Sequence, residues 1–387
     1  MAAAFDYQPR TRVVYGGGAF ARLGSVASEL SAKRILLVTD SGLKNAGHLD
    51  HAVENLTSAG LQVFVFDQVA PNPTTEHVDR CVEFARSLNI DTIVGLGGGS
   101  SMDCAKGANF LLSNGGQMRD YRGVGRASRT MLPMIAVPTT SGTGSEAQSF
   151  AVIADAKTHM KMACGDPKAA CRVAILDPEL TVTMPRAVAA ATGIDAMTHA
   201  IESYVTTKRN FVSQMFARDA WSLLSRAFPV VLQEPENIDA RGRMQLGAHL
   251  AGAAIENSML GATHAAANPL SAHFETTHGY AVGLLLPHVI QWNAEEVGPL
   301  YRELAIAAGW SDAGDSVDDA VESLQSGFTE LVRLAGAPTT LTQAVKPKIS
   351  DEMLLTLSEE AAQQWTGTFN PRTMNPTGYV QIYRNAM

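Results

Sequence analysis

Cysteine is scarce in this chain of 387 residues, and its placement argues against a thiolate metal site. The four cysteines, Cys81, Cys104, Cys164 and Cys171, are widely separated, and no Cys-x-x-Cys pair occurs. Thiolate metal sites usually take their ligands from closely spaced cysteines. We therefore expect reduced and mostly buried thiols, as in a cytosolic protein.

Long apolar runs and basic runs are also missing from the sequence. No uncharged apolar stretch reaches the roughly 18 residues that a membrane-spanning helix needs, and the N-terminus lacks the pattern of a secretory signal. The formal net charge is −8 and no long basic run occurs, so binding to nucleic acid has little support. The sequence predicts a cytoplasmic protein with neither a membrane nor a nucleic acid as partner.

The residues up to about 184 have the pattern of an α/β domain. Short β-branched or apolar runs alternate there with segments of helical spacing, as in a parallel sheet covered on both faces. The predicted strands are Arg34–Asp40, Leu61–Asp67, Thr92–Gly95, Met134–Val137 and Val173–Leu176, and the predicted helices between them are Ala52–Ala59 and Thr75–Ser87.

The residues from 185 to 387 have the pattern of an all-helical domain. Alanine-rich segments carry apolar residues at a period of 3.6, and strand patterns are almost absent. The predicted helices are Ala187–Thr206, Phe211–Ser225, Ile238–Asn257, Val317–Ala335 and Asp351–Gln364. A length of 387 residues also suggests two domains.

Four side chains in the helical half are candidate ligands of one divalent metal ion. Asp195 and His199 are four residues apart, so a helix would carry both on one face. His264 and His278 follow in apolar, glycine-rich stretches. One carboxylate and three neutral imidazoles suit iron(II) or zinc and leave a position for substrate. An isolated Asp-x-x-x-His pair is common on ordinary helices, so the spacing alone leaves the metal site open.

Two loops in the α/β half are candidate cofactor sites. Gly97, Gly98, Gly99 and Ser100 follow a predicted strand and precede a helix, where backbone N–H groups bind phosphate. Thr139, Thr140 and Thr143 follow another strand in the same way. Each loop has an alternative as a tight or capped turn, and the first does not match Gly-x-Gly-x-x-Gly.

An acidic residue at the end of the first predicted strand bears on the choice of dinucleotide. Asp40 is suited to accept hydrogen bonds from an adenosine ribose and to repel a 2′-phosphate, which favours NAD over NADP. It is equally suited to cap a helix.

Taken together, the ordered motifs resemble the iron-containing (group III) alcohol dehydrogenase family over nearly the whole chain. The matching runs are Arg12–Gly18, Gly97–Lys106, Pro138–Glu146, Asp177–Pro185, Gly193–Glu202 and Leu285–Val289. The resemblance implies a dinucleotide-binding α/β domain at 1–184, an all-α metal-binding and catalytic domain at 185–387, and a cleft between them where metal and nicotinamide meet. It also implies a homo-oligomer, a dimer or larger.

The resemblance assigns roles to individual residues. Asp195, His199, His264 and His278 match the family's metal ligands. The positions that match NAD contacts are Asp40, Asn72, Gly97, Gly98, Gly99, Ser100, Asp103, Thr139, Thr140, Thr143, Lys161 and Leu180. One departure concerns Asn268, which stands where the family usually has a second histidine near substrate and nicotinamide. Asparagine forms hydrogen bonds but does not titrate.

The sequence favours an enzyme that transfers hydride reversibly between NAD and a small primary or secondary alcohol, with a metal polarising the substrate oxygen. Iron(II) is the expected metal and zinc the alternative. One alternative function is a hydroxyacid–oxoacid transhydrogenase that retains its cofactor. Another is a non-catalytic binding or assembly protein on the same scaffold, with chemistry disabled at Asn268.

Overall fold

A computed structural model describes residues 4–158, 160–346 and 349–387, so that the first three residues of the segment inspected for a secretory signal lie outside the described part. The chain forms two compact units. One is Gln8–Met184, and the other is Pro185–Met387 together with the segment that ends at Tyr7. That segment joins the second unit through aromatic contacts of Phe5 with Phe211 and of Tyr7 with Phe216.

The first unit is built on a parallel sheet. Its strands, in chain order, are β1 Arg12–Tyr15, β2 Arg34–Val38, β3 Gln62–Phe66, β4 Thr92–Gly97, β5 Gly123–Val124, β6 Met134–Pro138, β7 Phe150–Ala154, β8 Lys161–Gly165 and β9 Val173–Leu176. In the described residues, six of them form one parallel sheet in the order β1-β9-β6-β4-β2-β3. Central strands β2, β4 and β6 are buried almost throughout, as expected for a sheet covered on both faces.

Helices cover this sheet and build the second unit. Those of the first unit are α1 Leu23–Glu29, α2 Ser41–Asn45, α3 His48–Ser58, α4 Thr75–Ala85 and α5 Gly99–Asn114. Those of the second unit are α6 Arg186–Val205, α7 Phe211–Gln233, α8 Ile238–Glu256, α9 Ala262–Phe274, α10 His278–Ala308, α11 Val317–Leu334, α12 Leu341–Ala344, α13 Asp351–Ala362 and α14 Pro376–Asn385. Within the described residues, no helix is both long and apolar enough to cross a membrane.

The predicted fold classes, a parallel α/β sheet followed by an all-helical part, are confirmed, whereas several boundaries were wrong. Strand β2 ends at Val38, because Asp40 already caps α2. Helix α7 continues through Pro229 to Gln233 instead of ending at Ser225. The small sheet of β5, β8 and β7 was not predicted. The four cysteines are buried free thiols, as expected.

Helices α9 and α10 were also missed, and prolines explain why. Pro269 lies inside α9, and Pro287 and Pro299 lie inside α10. Proline removes a backbone donor and disfavours the helix interior, so local sequence does not favour a continuous helix at these positions. Both helices are packed on the large core of the second unit, and burial of their apolar residues outweighs the local penalty.

A close backbone approach fixes the start of α10 against α6. A Cβ added to Gly279 would lie 2.0 Å from the carbonyl oxygen of Ala191. Only glycine allows this contact. Since Ala191 lies one helical turn before Asp195, the contact brings the first residue of α10, His278, to the Asp195 region of α6.

We predict that Gly279→Ala destabilises the protein by about 1–3 kcal/mol, the usual cost of overpacking, although alanine by itself favours a helix over glycine by about 1 kcal/mol. Urea denaturation of the metal-free protein measures this loss. Gly314→Ala is the control, because a Cβ there meets no atom within 4 Å in the described structure. Equal unfolding free energies for the two variants would contradict the proposed packing constraint.

Candidate functional site

Three elements of the helical unit bring four side chains together. Asp195 and His199 lie on the same face of α6, His264 lies in the first turn of α9, and His278 begins α10. Nε2 of His199 and Nε2 of His264 are each 3.4 Å from Oδ1 of Asp195, and Nε2 of His278 is 3.9 Å from the same oxygen. Side chains from three helices, up to 83 residues apart in the sequence, therefore lie around one carboxylate oxygen.

Three of the four side chains are buried, and their ligand atoms fit a cation. Asp195, His199 and His264 are 6%, 6% and 4% exposed, and their ligand atoms all lie within 4.8 Å of one another. Two ligands bound at about 2.0–2.1 Å in a tetrahedral site are roughly 3.4 Å apart. Oδ1 of Asp195 and Nε2 of His264 are buried and have no hydrogen-bond partner among the described residues. Such atoms require an electropositive partner, so the donor set fits a divalent metal ion.

Glu202 holds His264 in its orientation and was not predicted as a site residue. Its carboxylate lies 2.6 Å from Nδ1 of His264 and accepts hydrogen bonds from the backbone N–H groups of Gly261 and Thr263. With Nδ1–H donating to Glu202, Nε2 of His264 carries the lone pair that faces the cluster. Glu202 also caps the first turn of α9. Its spacing, three residues after His199 on α6, is the sequence signal that identifies it.

The carboxylates of Asp195, in the cluster, and of Glu202, beside it, determine the electrostatics of the site. Burial disfavours the charged form of Asp195, but His199 and the other two imidazoles outweigh this effect and hold the pKa of Asp195 well below its usual value. Burial likewise acts to lower the pKa of His264, but the Asp195 and Glu202 carboxylates raise it to about 9. The site therefore favours positive charge, from a proton or from a metal ion.

In the α/β unit, the predicted loop residues converge at the carboxyl ends of neighbouring strands. Gly97 has φ +143°, and a Cβ there would lie 2.5 Å from Oγ of Ser101. A Cβ on Gly98 would lie 3.3 Å from Thr140, and one on Gly99 would lie 2.6 Å from Thr143. The N–H of Thr139 donates to the carbonyl of Gly97. The two predicted loops thus form one cradle at the N-terminus of α5, where backbone N–H groups suit an anion.

Two further predicted residues border this cradle. Asp40 accepts a hydrogen bond from the N–H of Gly42 at 2.9 Å, which caps α2, and another from Oγ of Ser101 at 3.2 Å. Asn72, with φ +53°, has its backbone N–H 3.3 Å from Oγ of Ser100. The structure thus brings Asp40 and Asn72 to the same glycine loop.

The remaining predicted cofactor residues lie in other surroundings. Oδ1 of Asp103 accepts from Oγ of Ser145 at 2.6 Å and lies 4.0 Å from Nζ of the buried Lys106. Burial raises the pKa of Asp103, while the charges of Lys106 and, more weakly, of Lys161 at the start of β8 act to lower it. Leu180 is buried in the apolar cluster that includes Val14 and Leu37.

Comparison with known proteins identifies the family of the chain. Family models described as iron-containing alcohol dehydrogenase and as the C-terminal part of the iron-containing alcohol dehydrogenase family match residues 9–178 and 189–387. The NAD-dependent methanol dehydrogenase of Bacillus methanolicus is 32% identical over 97% of this chain and 97% of its own. The 1,3-propanediol dehydrogenase of Klebsiella pneumoniae is 32% identical over 99% of this chain and 98% of its own.

The structural comparison gives the same result. The crystal structure of a 1,3-propanediol oxidoreductase superposes with a TM-score of 0.95 at 33% identity and covers 100% of both chains. An alcohol dehydrogenase from Oenococcus oeni has a TM-score of 0.95 at 29% identity, covering 99% of this chain and 100% of its own. The chain belongs to the iron-containing alcohol dehydrogenase family and is an oxidoreductase.

Proposed function

We propose that this protein transfers hydride reversibly between NAD and a small primary or secondary alcohol, producing the aldehyde or ketone. The observation that carries the proposal is the convergence of three imidazole nitrogens on Oδ1 of Asp195 in a buried site. The similar methanol and 1,3-propanediol dehydrogenases support a small alcohol as substrate.

Asp195, His199, His264 and His278 would hold the metal, for which we propose iron(II), with zinc as an acceptable replacement. When bound, such an ion supplies a Lewis acid that polarises an alcohol or carbonyl oxygen. Glu202 keeps Nε2 of His264 directed into the site through its bond to Nδ1. The burial of Asp195 and His264 excludes water around them, which strengthens electrostatic effects there.

For the cofactor, we propose that the cradle in the α/β unit binds NAD. Gly97, Gly98, Gly99 and Ser100 would let the pyrophosphate approach the N-terminus of α5. Thr139, Thr140 and Thr143 border the same loop, and Asp40 would accept hydrogen bonds from the adenosine ribose. Contacts of Asn72, Asp103, Lys161 and Leu180 with NAD stay predictions. A homo-oligomer and a cytoplasmic location also stay predictions.

We expect His264→Ala to lose bound metal and turnover together, with activity falling by more than about 100-fold, since even removal of an outer partner of a metal ligand costs 10–100-fold. Protein loaded anaerobically with iron(II) is analysed by mass spectrometry for metal and by NADH absorbance for activity. His273→Ala is the matched control, because His273 bonds Glu360 outside the cluster. Turnover by metal-free His264→Ala protein would overturn the mechanism.

Glu202→Gln tests the orientation of His264. The change replaces the charged carboxylate that accepts a hydrogen bond from Nδ1 of His264 by a neutral amide of the same length. We therefore predict that the affinity for zinc falls about 10–100-fold. Competition with a chromogenic chelator measures the affinity. Glu303→Gln removes another carboxylate of the same unit, one that bonds the Tyr204 hydroxyl, and should leave zinc affinity unchanged. Unchanged affinity in a folded Glu202→Gln protein would rule out this role.

Asp40→Asn tests the cofactor assignment. Asparagine still caps a helix but loses the charge that repels a 2′-phosphate. We predict that the ratio of kcat/KM for NAD to kcat/KM for NADP falls about 10-fold or more. The reason is that the repulsion between the Asp40 carboxylate and a 2′-phosphate, worth a few kcal/mol near the surface, is lost. Tm should be unchanged. Asp91→Asn is the control, since Asp91 bonds the backbone of Lys33 and Arg34 at the opposite end of β2. An unaltered ratio would argue against a ribose contact.

A further inference from the structure

The first turn of α9 takes its backbone hydrogen-bond partners from two side chains outside the helix. Glu202 accepts from the N–H groups of Gly261 and Thr263. Between these two, the N–H of Ala262 donates to Oδ1 of Asn370 at 3.3 Å. A Cβ on Gly261 would lie 3.0 Å from Oε1 of Glu202 and 3.1 Å from Oδ1 of Asn370. Since a helix leaves its first N–H groups without partners of its own, these two side chains together fix where α9 begins.

The amide of Asn370 has a single orientation that satisfies all its neighbours. Its Oδ1 accepts a second hydrogen bond from Nδ2 of Asn293 at 3.0 Å, and its Nδ2 donates to Oδ1 of Asn293 and to the carbonyl of Arg372, both at 2.7 Å. These bonds use both lone pairs of the oxygen and both hydrogens of the amino group. A flipped amide would place its amino group against the N–H of Ala262, so the network determines that an acceptor faces α9.

Asn370 is itself tied to two further helices. Asn293 belongs to α10, the two amides are only 1% and 5% exposed, and Nδ2 of Asn293 also donates to the hydroxyl of the buried Tyr301 at 3.3 Å. The carbonyl of Phe369, the residue before Asn370, accepts from Oγ1 of Thr206 at 3.0 Å, directly after the end of α6. Asn370 therefore connects the start of α9 with α10 and with the end of α6, the helices that carry the other proposed metal ligands.

We propose that Asn370, held by Asn293, is a positioning residue of the metal site, because it fixes the first turn of α9 and with it His264. The proposal rests on the proposed function, since that function assigns the metal site. A ligand must be held within about 0.5 Å of its productive position. Glu202 directs the ring of His264 through Nδ1, whereas Asn370 acts on the backbone. Both amides are neutral, so they fix this backbone without burying a second charge beside Glu202.

The test compares Asn370→Ala, Asn293→Ala and the double variant in their affinity for zinc, measured by competition with a chromogenic chelator. We expect each single change to lower the affinity about 10-fold, the low end of the cost of losing an outer partner of a metal ligand. The double variant should lose no more than one single variant, because both residues act through one contact with α9. Asn237→Ala is the matched control: its amide oxygen accepts from the N–H of Ala240 at the start of another helix, α8, and zinc affinity should be unchanged.

Hydrogen exchange in the metal-free protein separates this proposal from the proposed function. In Asn370→Ala the amide of Ala262 should exchange about 10-fold faster, because it loses its acceptor, and Asn237→Ala should leave this rate unchanged. Asn370→Ser replaces Asn370→Ala if that protein does not fold.

Failure of the native protein to bind zinc would contradict the proposed metal site, and the exchange rates would still show whether Asn370 fixes the start of α9. Native zinc affinity in the folded variants of Asn370 and Asn293, or an unaltered exchange rate at Ala262, would overturn the positioning role.

Discussion

The convergence of three imidazole nitrogens on a single buried carboxylate oxygen is the constraint on which the helical unit depends. Lone pairs of Asp195, His199 and His264 that face one another away from water repel unless a positive charge lies among them. Because α6, α9 and α10 each supply part of the cluster, their relative positions must be held to within a fraction of an ångström. Gly279, pressed against the carbonyl of Ala191, is one visible consequence.

Glu202 links the metal-ligand cluster to the packing of α6 against the start of α9. The same carboxylate caps α9, through the N–H groups of Gly261 and Thr263, and binds Nδ1 of His264. Burial acts to raise the pKa of Glu202, but its bonds to His264 and Thr263 lower it overall, so it remains ionised. An ionised carboxylate at a helix N-terminus is favoured by the helix dipole. A single residue on α6 therefore sets both the entry of α9 and the direction of its ligand.

Local spacing in the sequence predicted part of this arrangement and could not predict the rest. The Asp195–His199 pair follows from helical periodicity, and Glu202 was within reach of the same argument. The pairing of α6 with His264 and His278 depends on tertiary packing, and the resemblance to a family supplied it instead. Asp40 shows another limit. A carboxylate after a strand is equally suited to cap a helix and to bind a ribose, and the hydrogen bond from the N–H of Gly42 shows that Asp40 caps α2. Asp103 bonds Ser145, 42 residues away, a contact that no local pattern encodes.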